Sequence, residues 1–134
     1  MTVITSIAAY KFDKFITTIS KKDREQIFEV GFVVDTKDLK AAKAGHAQGE
    51  VIGESVNRAR EWIDTPPSQL TPTVLADHAK KLAKEYGLKY TVFVEKELQS
   101  MGMHGIAGVS AGSGQDAHFV ILEYKSKKPK AQTI

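Results

Sequence analysis

Residues 59–72, AREWIDTPPSQLTP, decide the fold because they end one helix and begin the next. A helix interior cannot hold the tandem prolines at 66 and 67, which lack a backbone N–H, so the first helix is predicted to stop near Thr65. Thr71 is a good N-cap, and Pro72 suits the first helical position, where a missing N–H costs nothing. The stretch therefore predicts a rigid elbow between two helices, although an elbow by itself indicates no chemistry.

Upstream of the elbow, residues 36–65 are predicted to form one long helix, which Asp35 or Thr36 can cap. Apolar and small residues recur there every three or four positions over about seven turns. They are Leu39, Ala42, His46, Gly49, Ile52, Gly53, Val56, Ala59 and Ile63. One side is slim and carries Ala42, Ala44, Gly45, Ala47, Gly49 and Gly53. Because an internal glycine costs about 1 kcal/mol relative to alanine, we expect that side to pack closely against another backbone.

Downstream of the elbow, helical and strand patterns alternate. The predicted elements are a helix over 72–86 ended by Gly87, a strand over 88–94, a short helix over 95–100, a turn over 102–105, a strand over 106–111, a loop over 112–117 and a strand over 119–124. Strands that alternate with helices are typical of the α/β class. We therefore predict a partial sheet of three-layer type with flanking helices, preceded by the long linker helix.

The segment before the long helix predicts less regular structure. Residues 2–15 indicate a short helix followed by an extended stretch, YKFDKF, and the charged residues 20–25 indicate a turn. Residues 27–34, IFEVGFVV, are rich in β-branched and aromatic side chains and predict a buried strand.

Composition restricts the class of protein. The chain has 134 residues, which is enough for one modest core, and its zero cysteines exclude disulfides and thiolate metal sites and fit a reducing cytoplasm. No apolar run reaches the roughly 20 residues that a membrane helix needs, and the N-terminus lacks the pattern of a signal peptide.

The net charge of +3 comes from four lysines near the C-terminus: Lys125, Lys127, Lys128 and Lys130. We interpret these lysines as a solvated tail or linker, with a nucleic-acid patch as the alternative.

One motif suggests nucleophilic catalysis. Residues 108–112, GVSAG, match the G-x-S-x-G pattern in which a strand, a sharp turn at the serine and a helix expose the hydroxyl. Residues after Ser110 are poor helix formers, and a strand is predicted soon afterwards. His104, Asp116 and His118 lie nearby, but their order differs from the serine, acid, histidine order of α/β-hydrolases. We therefore favour a structural Ser110 at a strand end.

Other polar residues have simpler structural explanations. The four histidines, at 46, 78, 104 and 118, lack the spacing of metal-binding motifs. Glu95 and Glu97 suit the positive end of a helix dipole better than a general acid and base pair. Arg58 and Arg60 could bind a phosphate or carboxylate, but we favour a solvated or salt-bridged helix face.

The elbow also carries a family resemblance. Together with LADHAKKLAKEYGLK, VFVEKEL, MGMHG and FVILEYK, it resembles the leucyl aminopeptidase (cytosol aminopeptidase) family over about residues 10–124. TPPSQLTP and MGM are the most distinctive pieces. The sequence departs from the family at Asp64, where asparagine is usual, at His104, which interrupts MGMG, and over 115–118, which lacks the common prolines.

The resemblance implies a metal-dependent exopeptidase of the cytoplasm. Members use two divalent ions, commonly zinc, manganese or magnesium, to activate water and to hold the free amine of a peptide, typically one that begins with leucine. It implies a remnant of an N-terminal domain over 1–35, a linker helix over 36–65 and the first α/β portion of the catalytic domain over 66–134. The metal-binding and catalytic motifs of the family are expected beyond Ile134, so we assign no catalytic or metal-binding residue, and any substrate-binding residue is unknown.

Two further functions remain open at this stage. The first is a truncated, non-catalytic module that binds protein or nucleic acid through the slim helix and the lysine-rich tail. The second is a serine hydrolase that uses Ser110. We expect the chain to be inactive alone and to self-associate, because the resembled family forms hexamers and a partial sheet leaves edges that pair readily. We expect no membrane partner, and nucleic acid is the less favoured partner.

Overall fold

The computed structural model describes residues 1–18 and 29–126. The helices are α1 (Thr2–Ala9), α2 (Leu39–Asp64), α3 (Pro72–Tyr86), α4 (Glu95–Ser100) and α5 (His104–Ser110), and the strands are β1 (Lys89–Val94) and β2 (His118–Glu123). A short 3-10 helix, Thr36–Asp38, leads into α2. The predicted mixed α/β class is confirmed. The chain divides into two compact units, Met1–Thr65 and the part that starts at Pro66.

The helix ends on both sides of the prolines lie where the sequence predicts them. α2 ends at Asp64, and Thr65 already has extended backbone angles, φ −73° and ψ 126°. The Thr71 hydroxyl accepts a hydrogen bond from the Val74 N–H at 3.4 Å, which satisfies one N–H that the first turn of α3 leaves without a helical partner. Gly87 ends α3 in the left-handed region at φ 66°, where glycine pays no steric cost.

In the unit Met1–Thr65, α1 packs along the slim side of α2. Gly49 and Gly53 are the buried residues of α2. A Cβ placed on Gly49 would lie 2.8 Å from the Thr2 Cβ, and one on Gly53 would lie 2.7 Å from the Ser6 Cβ. Both glycines are therefore required by the close approach of α1. The sequence predicted close packing on that side but did not identify α1 as the partner.

The strand predicted over 27–34 is wrong where the structure describes it. Residues 27 and 28 lie outside the described part, and residues 29–34 are irregular. The Val33 side chain is fully exposed, whereas the Phe32 ring lies edge-on to the His46 ring at 6.1 Å between centroids. β-branched and aromatic side chains favour a strand where they can pack against a neighbouring strand. The described residues of this unit contain no such strand. The stretch after α1 is extended at Tyr10, as predicted, but it turns at residues 14 and 15, where the Ile16 N–H bonds to the Asp13 carbonyl at 3.0 Å. The turn predicted over 20–25 lies outside the described part.

In the second unit, β1 and β2 form a two-stranded antiparallel sheet. Their register pairs Tyr90 with Leu122 and Val92 with Val120. The Tyr90 hydroxyl donates to the Ala76 carbonyl of α3 at 3.2 Å, so α3 packs on the face that carries Tyr90. The core between these elements contains small side chains of α3, namely Ala76, Ala79 and Ala83. Leu98 of α4 is completely buried.

The strand predicted over 106–111 is wrong, because α5 occupies most of these residues. The N–H of Ala107 bonds to the Met103 carbonyl at 3.2 Å and that of Ala111 to the Ala107 carbonyl at 3.1 Å. These are helical bonds, which residues four apart supply to each other without a neighbouring strand. Periodicity alone cannot separate a short buried strand from a buried helical segment, and this run of small residues is such a case.

Candidate functional site

Ser110 does not lie on a nucleophile elbow. It is the last residue of α5, and a turn follows it. A nucleophile elbow needs the reverse order, in which a strand precedes the serine and a helix follows. The Ser110 hydroxyl donates to the Ala107 carbonyl at 2.9 Å, one of the last carbonyls of the helix. The observed contacts therefore support the structural interpretation of Ser110.

The residues near Ser110 do not form a triad-like chain of contacts. His118 Nδ1 lies 3.0 Å from the backbone oxygen of Asp116, two residues away. A catalytic acid instead uses its carboxylate to orient the imidazole. The contact between Asp116 and His118 is local and lies at the entry to β2.

We predict that Ser110→Ala leaves any hydrolytic activity unchanged and lowers the free energy of unfolding by no more than about 1 kcal/mol, because one partly exposed hydrogen bond is lost. A fluorophosphonate probe should not label Ser110, as mass spectrometry of the intact chain would show. Ser113→Ala is the matched control, since the Ser113 hydroxyl also binds locally, accepting from the Gln115 N–H at 3.0 Å. Stoichiometric labelling that disappears in Ser110→Ala would contradict the structural interpretation.

Glu95 and Glu97 are both used by the backbone at the start of α4. Glu97 Oε2 accepts from the Val94 N–H at 2.9 Å, and Glu95 Oε2 accepts from the Ala117 N–H at 3.1 Å. The first contact caps the start of α4, the end at which the sequence placed these two carboxylates. The second links α4 to the residue just before β2, a connection over 22 positions that the local sequence did not indicate. The structural interpretation of these two carboxylates is therefore supported over an acid and base pair.

Arg60 binds α1 instead of forming a solvated or salt-bridged face. Its Nη1 donates to the Ile7 carbonyl at 2.8 Å, and its guanidinium lies 4.2 Å from the centre of the Tyr10 ring. The Tyr10 hydroxyl donates to Asp64 Oδ2 at 3.0 Å. Partial burial and this hydrogen bond raise the pKa of Tyr10 above its ordinary value. A cation suits the carbonyl end of α1 and an aromatic face, so Arg60 and Tyr10 stabilise the α1–α2 contact.

His46 and several other polar side chains line a cavity of about 400 Å³. The His46 Nδ1 lies 3.0 Å from the Thr2 hydroxyl, and its Nε2 lies 3.5 Å from Glu50 Oε1. Glu29, Glu54, Thr5 and Ser6 complete the polar part of the lining. His46 therefore lies at the contact between the two helices, because it bonds to the first residue of α1.

The described residues do not fit a two-metal centre. Over 1–18 and 29–126, no group of three or more histidine, aspartate and glutamate side chains lies close enough to hold a metal ion. A catalytic metal site usually takes about three protein ligands, which the pair of His46 and Glu50 does not supply. In the same part of the chain, no helix has both the length and the apolar character to cross a membrane.

Comparison with known proteins agrees with the helix–elbow–helix segment and the sheet that follows it. The sequence model of the cytosol aminopeptidase family, catalytic domain, matches residues 57–134. A "Probable cytosol aminopeptidase" of Rhodococcus jostii is 37% identical over 131 residues, which are 96% of this chain and 26% of that protein. Proteins with the same description from Persephonella marina and Aquifex aeolicus are 34% and 38% identical over 90% of this chain, and over 24% and 23% of their own lengths. No solved structure matches the chain significantly.

These findings define residues 57–134 first as part of a peptidase catalytic domain. More specifically, the chain belongs to the cytosol aminopeptidase family. It spans about a quarter of the length of the curated relatives it matches.

Proposed function

We propose that this chain supplies the linker helix and the first α/β part of the catalytic domain of a metallo-aminopeptidase, which releases N-terminal amino acids, typically leucine, from peptides in the cytoplasm. The observation that supports it most strongly is the family match over residues 57–134, which includes the end of α2, the prolines and the second unit. Residues 1–35 would then be a remnant of an N-terminal domain. The two divalent ions of the family, zinc, manganese or magnesium, are part of this proposal.

Within that enzyme, we propose that these 134 residues serve as scaffold and are inactive alone. The polar side chains that could have carried chemistry are engaged in structure: Ser110 and Glu97 bind local backbone, Glu95 binds the Ala117 N–H, and Arg60 binds α1. The described residues offer no cluster for two metal ions. Metal-activated water is the source of the family's hydrolytic power, and residues 1–18 and 29–126 offer no ligand cluster for it, so we expect no turnover.

The experiment measures hydrolysis of leucine p-nitroanilide by the purified 134-residue chain with added Mn²⁺ or Zn²⁺. We expect no turnover above the metal-only blank. The related Rhodococcus jostii protein, purified in the same way, is the control for assay conditions. Metal-dependent turnover that EDTA abolishes, and that co-purifies with the 134-residue chain, would contradict the scaffold proposal.

The alternative proposal is a non-catalytic module that binds another macromolecule. It is supported by the exposed apolar side chains of the described residues, among them Ile52, Ile63 and Tyr124. Three of the four lysines of the tail lie outside the described part, so the structure adds nothing to the nucleic-acid version. Sedimentation of the purified chain with a candidate protein or nucleic acid tests this module: formation of a stable complex with that partner, together with absent peptidase activity, would favour it.

A further inference from the structure

The chain leaves the two-stranded sheet and returns to it at the same point. β1 ends at Val94 and β2 begins at His118, and these two residues face each other as the last pair of the sheet. Residues 95–117 lie between them and contain α4 and α5. We call residues 95–117 the α4–α5 segment.

Two carboxylates in the first turn of α4 hold both ends of the α4–α5 segment. Glu95 Oε2 accepts from the Ala117 N–H at 3.1 Å, which adds one bond beyond the last strand pair. Glu97 Oε2 accepts from the Val94 N–H at 2.9 Å on the side of β1. The other oxygen of Glu95 accepts from the Gln99 amide at 3.5 Å, one turn further along α4. The first turn of α4 is therefore bonded both to the end of β1 and to the residue just before β2.

The two helices of the segment have little stability of their own. α4 has six residues and α5 has seven, and helices of this length do not persist in water without tertiary contacts. Gly105 and Gly108 lie inside α5, and each glycine lowers a helix equilibrium about fivefold relative to alanine. The buried residues of the segment are Leu98, Ala107 and Ala117, of which only Leu98 is larger than alanine. The closed position therefore depends on few interactions.

We propose that the α4–α5 segment is a flap that opens and closes as one unit, and that Glu95 is the residue that keeps it closed. α4 packs on β1 and α5 packs mainly on α4, so α5 loses its support when α4 leaves the sheet. Without the Glu95 carboxylate, the N–H of Ala117, a residue only 6% exposed, lacks its acceptor until opening admits water. α3 and the sheet keep their own contacts in the open form, including the bond from Tyr90 to Ala76.

This inference is independent of the aminopeptidase assignment, because every contact that supports it lies within the second unit. Opening uncovers Leu98 and frees the N–H groups of Val94 and Ala117 at one end of the sheet. A ligand that binds only the closed or only the open form would shift the population between them. The flap is thus a two-state element that can respond to binding without unfolding of the rest of the unit.

Native-state hydrogen exchange of the purified chain, at several low denaturant concentrations, tests the proposal. The amides to follow are those of Met101, Ala107, Ala111 and Ala117, whose hydrogen bonds all break on opening. The four amides should share one opening constant and one denaturant slope. Their opening constant should be at least about tenfold larger than that of the α3 amides, which require unfolding of the whole unit.

Glu95→Ala should raise the opening constant at least about fivefold, and equally for the amides of α4 and α5, because it removes the bond that closes the flap. Glu123→Ala is the matched control. It removes a carboxylate contact with Lys89, 2.7 Å long, at the other end of the same two strands. This contact persists in the open form, so the opening constant of the flap should change by less than about twofold.

Gly108→Ala acts in the opposite direction and remains informative if Glu95→Ala does not fold. Nothing lies within 4 Å of a Cβ placed on Gly108, so alanine fits there. Because alanine is the better helix former, the opening constant should fall up to about fivefold in α4 as well as in α5. A change confined to α5 would overturn the single unit, as would different opening constants for the two helices or exchange only together with α3. Acceleration of Ala117 alone in Glu95→Ala would overturn the role of Glu95.

Discussion

Leu98→Ala is expected to lower the free energy of unfolding of the second unit by about 2–5 kcal/mol. Leu98 exposes 0% of its surface, and its α4 is only six residues long, so packing and not helix propensity holds it in place. Shortening the side chain removes buried methyl groups and leaves a cavity that the surrounding backbone cannot fully close. The elements that pack against α4 are β1 and α5, and the buried residue of α5 is Ala107, which has no spare length to fill the gap.

Urea unfolding followed by circular dichroism measures this change, with the denaturant slope checked for two-state behaviour. Leu75→Ala is the matched control, because it removes the same atoms from α3 at a position that is 42% exposed. The control should lose clearly less stability, about 1 kcal/mol or below. Equal losses in the two variants would show that Leu98 does not anchor the second unit.

Gly53→Leu is expected to displace α1 and to lower the free energy of unfolding of Met1–Thr65 by at least about 1–3 kcal/mol. Even a Cβ at this position would lie 2.7 Å from both Cβ and Oγ of Ser6, so a larger side chain cannot be accommodated without moving α1. The displacement would also break the hydrogen bond from Asn57 Nδ2 to the Ser6 carbonyl, 3.0 Å long, and the contacts of Arg60.

Hydrogen exchange detects the displacement directly, because the amides of α1 should lose protection while those of α3 keep it. Gly45→Leu is the control on the same helix, since nothing lies within 4 Å of a Cβ placed there. At protein concentrations low enough to avoid association, it should raise stability by up to about 1 kcal/mol, because leucine is the better helix former. If Gly53→Leu behaves like Gly45→Leu, α1 does not pack on α2 as described.

The ends of the helices were predictable because they depend on chemistry between near neighbours in the chain. The hydroxyl of Thr71 caps a turn that begins one residue later, and Gly87 ends α3 because glycine accepts a left-handed backbone. The strands predicted over 88–94 and 119–124 were found within one residue at each end. Their β-branched and aromatic side chains match a sheet with a face packed on α3.

Short apolar runs were less informative. Residues 106–111 form most of α5, and residues 29–34 are irregular, although both were predicted as strands. The choice between helix and strand depended on whether a neighbouring strand was available, and a local pattern does not contain that information. The same limit applies to the candidate chemistry. The sequence around Ser110 matches the pattern of a nucleophile elbow. The backbone there is helical, however, so the Ser110 hydroxyl binds a carbonyl.

The sequence by itself determined the family, the mixed class of the fold and the positions at which α2 and α3 end, because motifs, prolines and caps act locally. Only the tertiary structure decided which side of α2 is covered. The sequence contains small residues on two sides of that helix, and α1 selects Gly49 and Gly53 because Thr2 and Ser6 reach them from 47 positions away in the chain. The structure thereby leaves Ile52 and Ile63 exposed. Which side of α2 is covered depends on how two helices that are distant in the sequence pack together, and no single stretch of the sequence determines that packing.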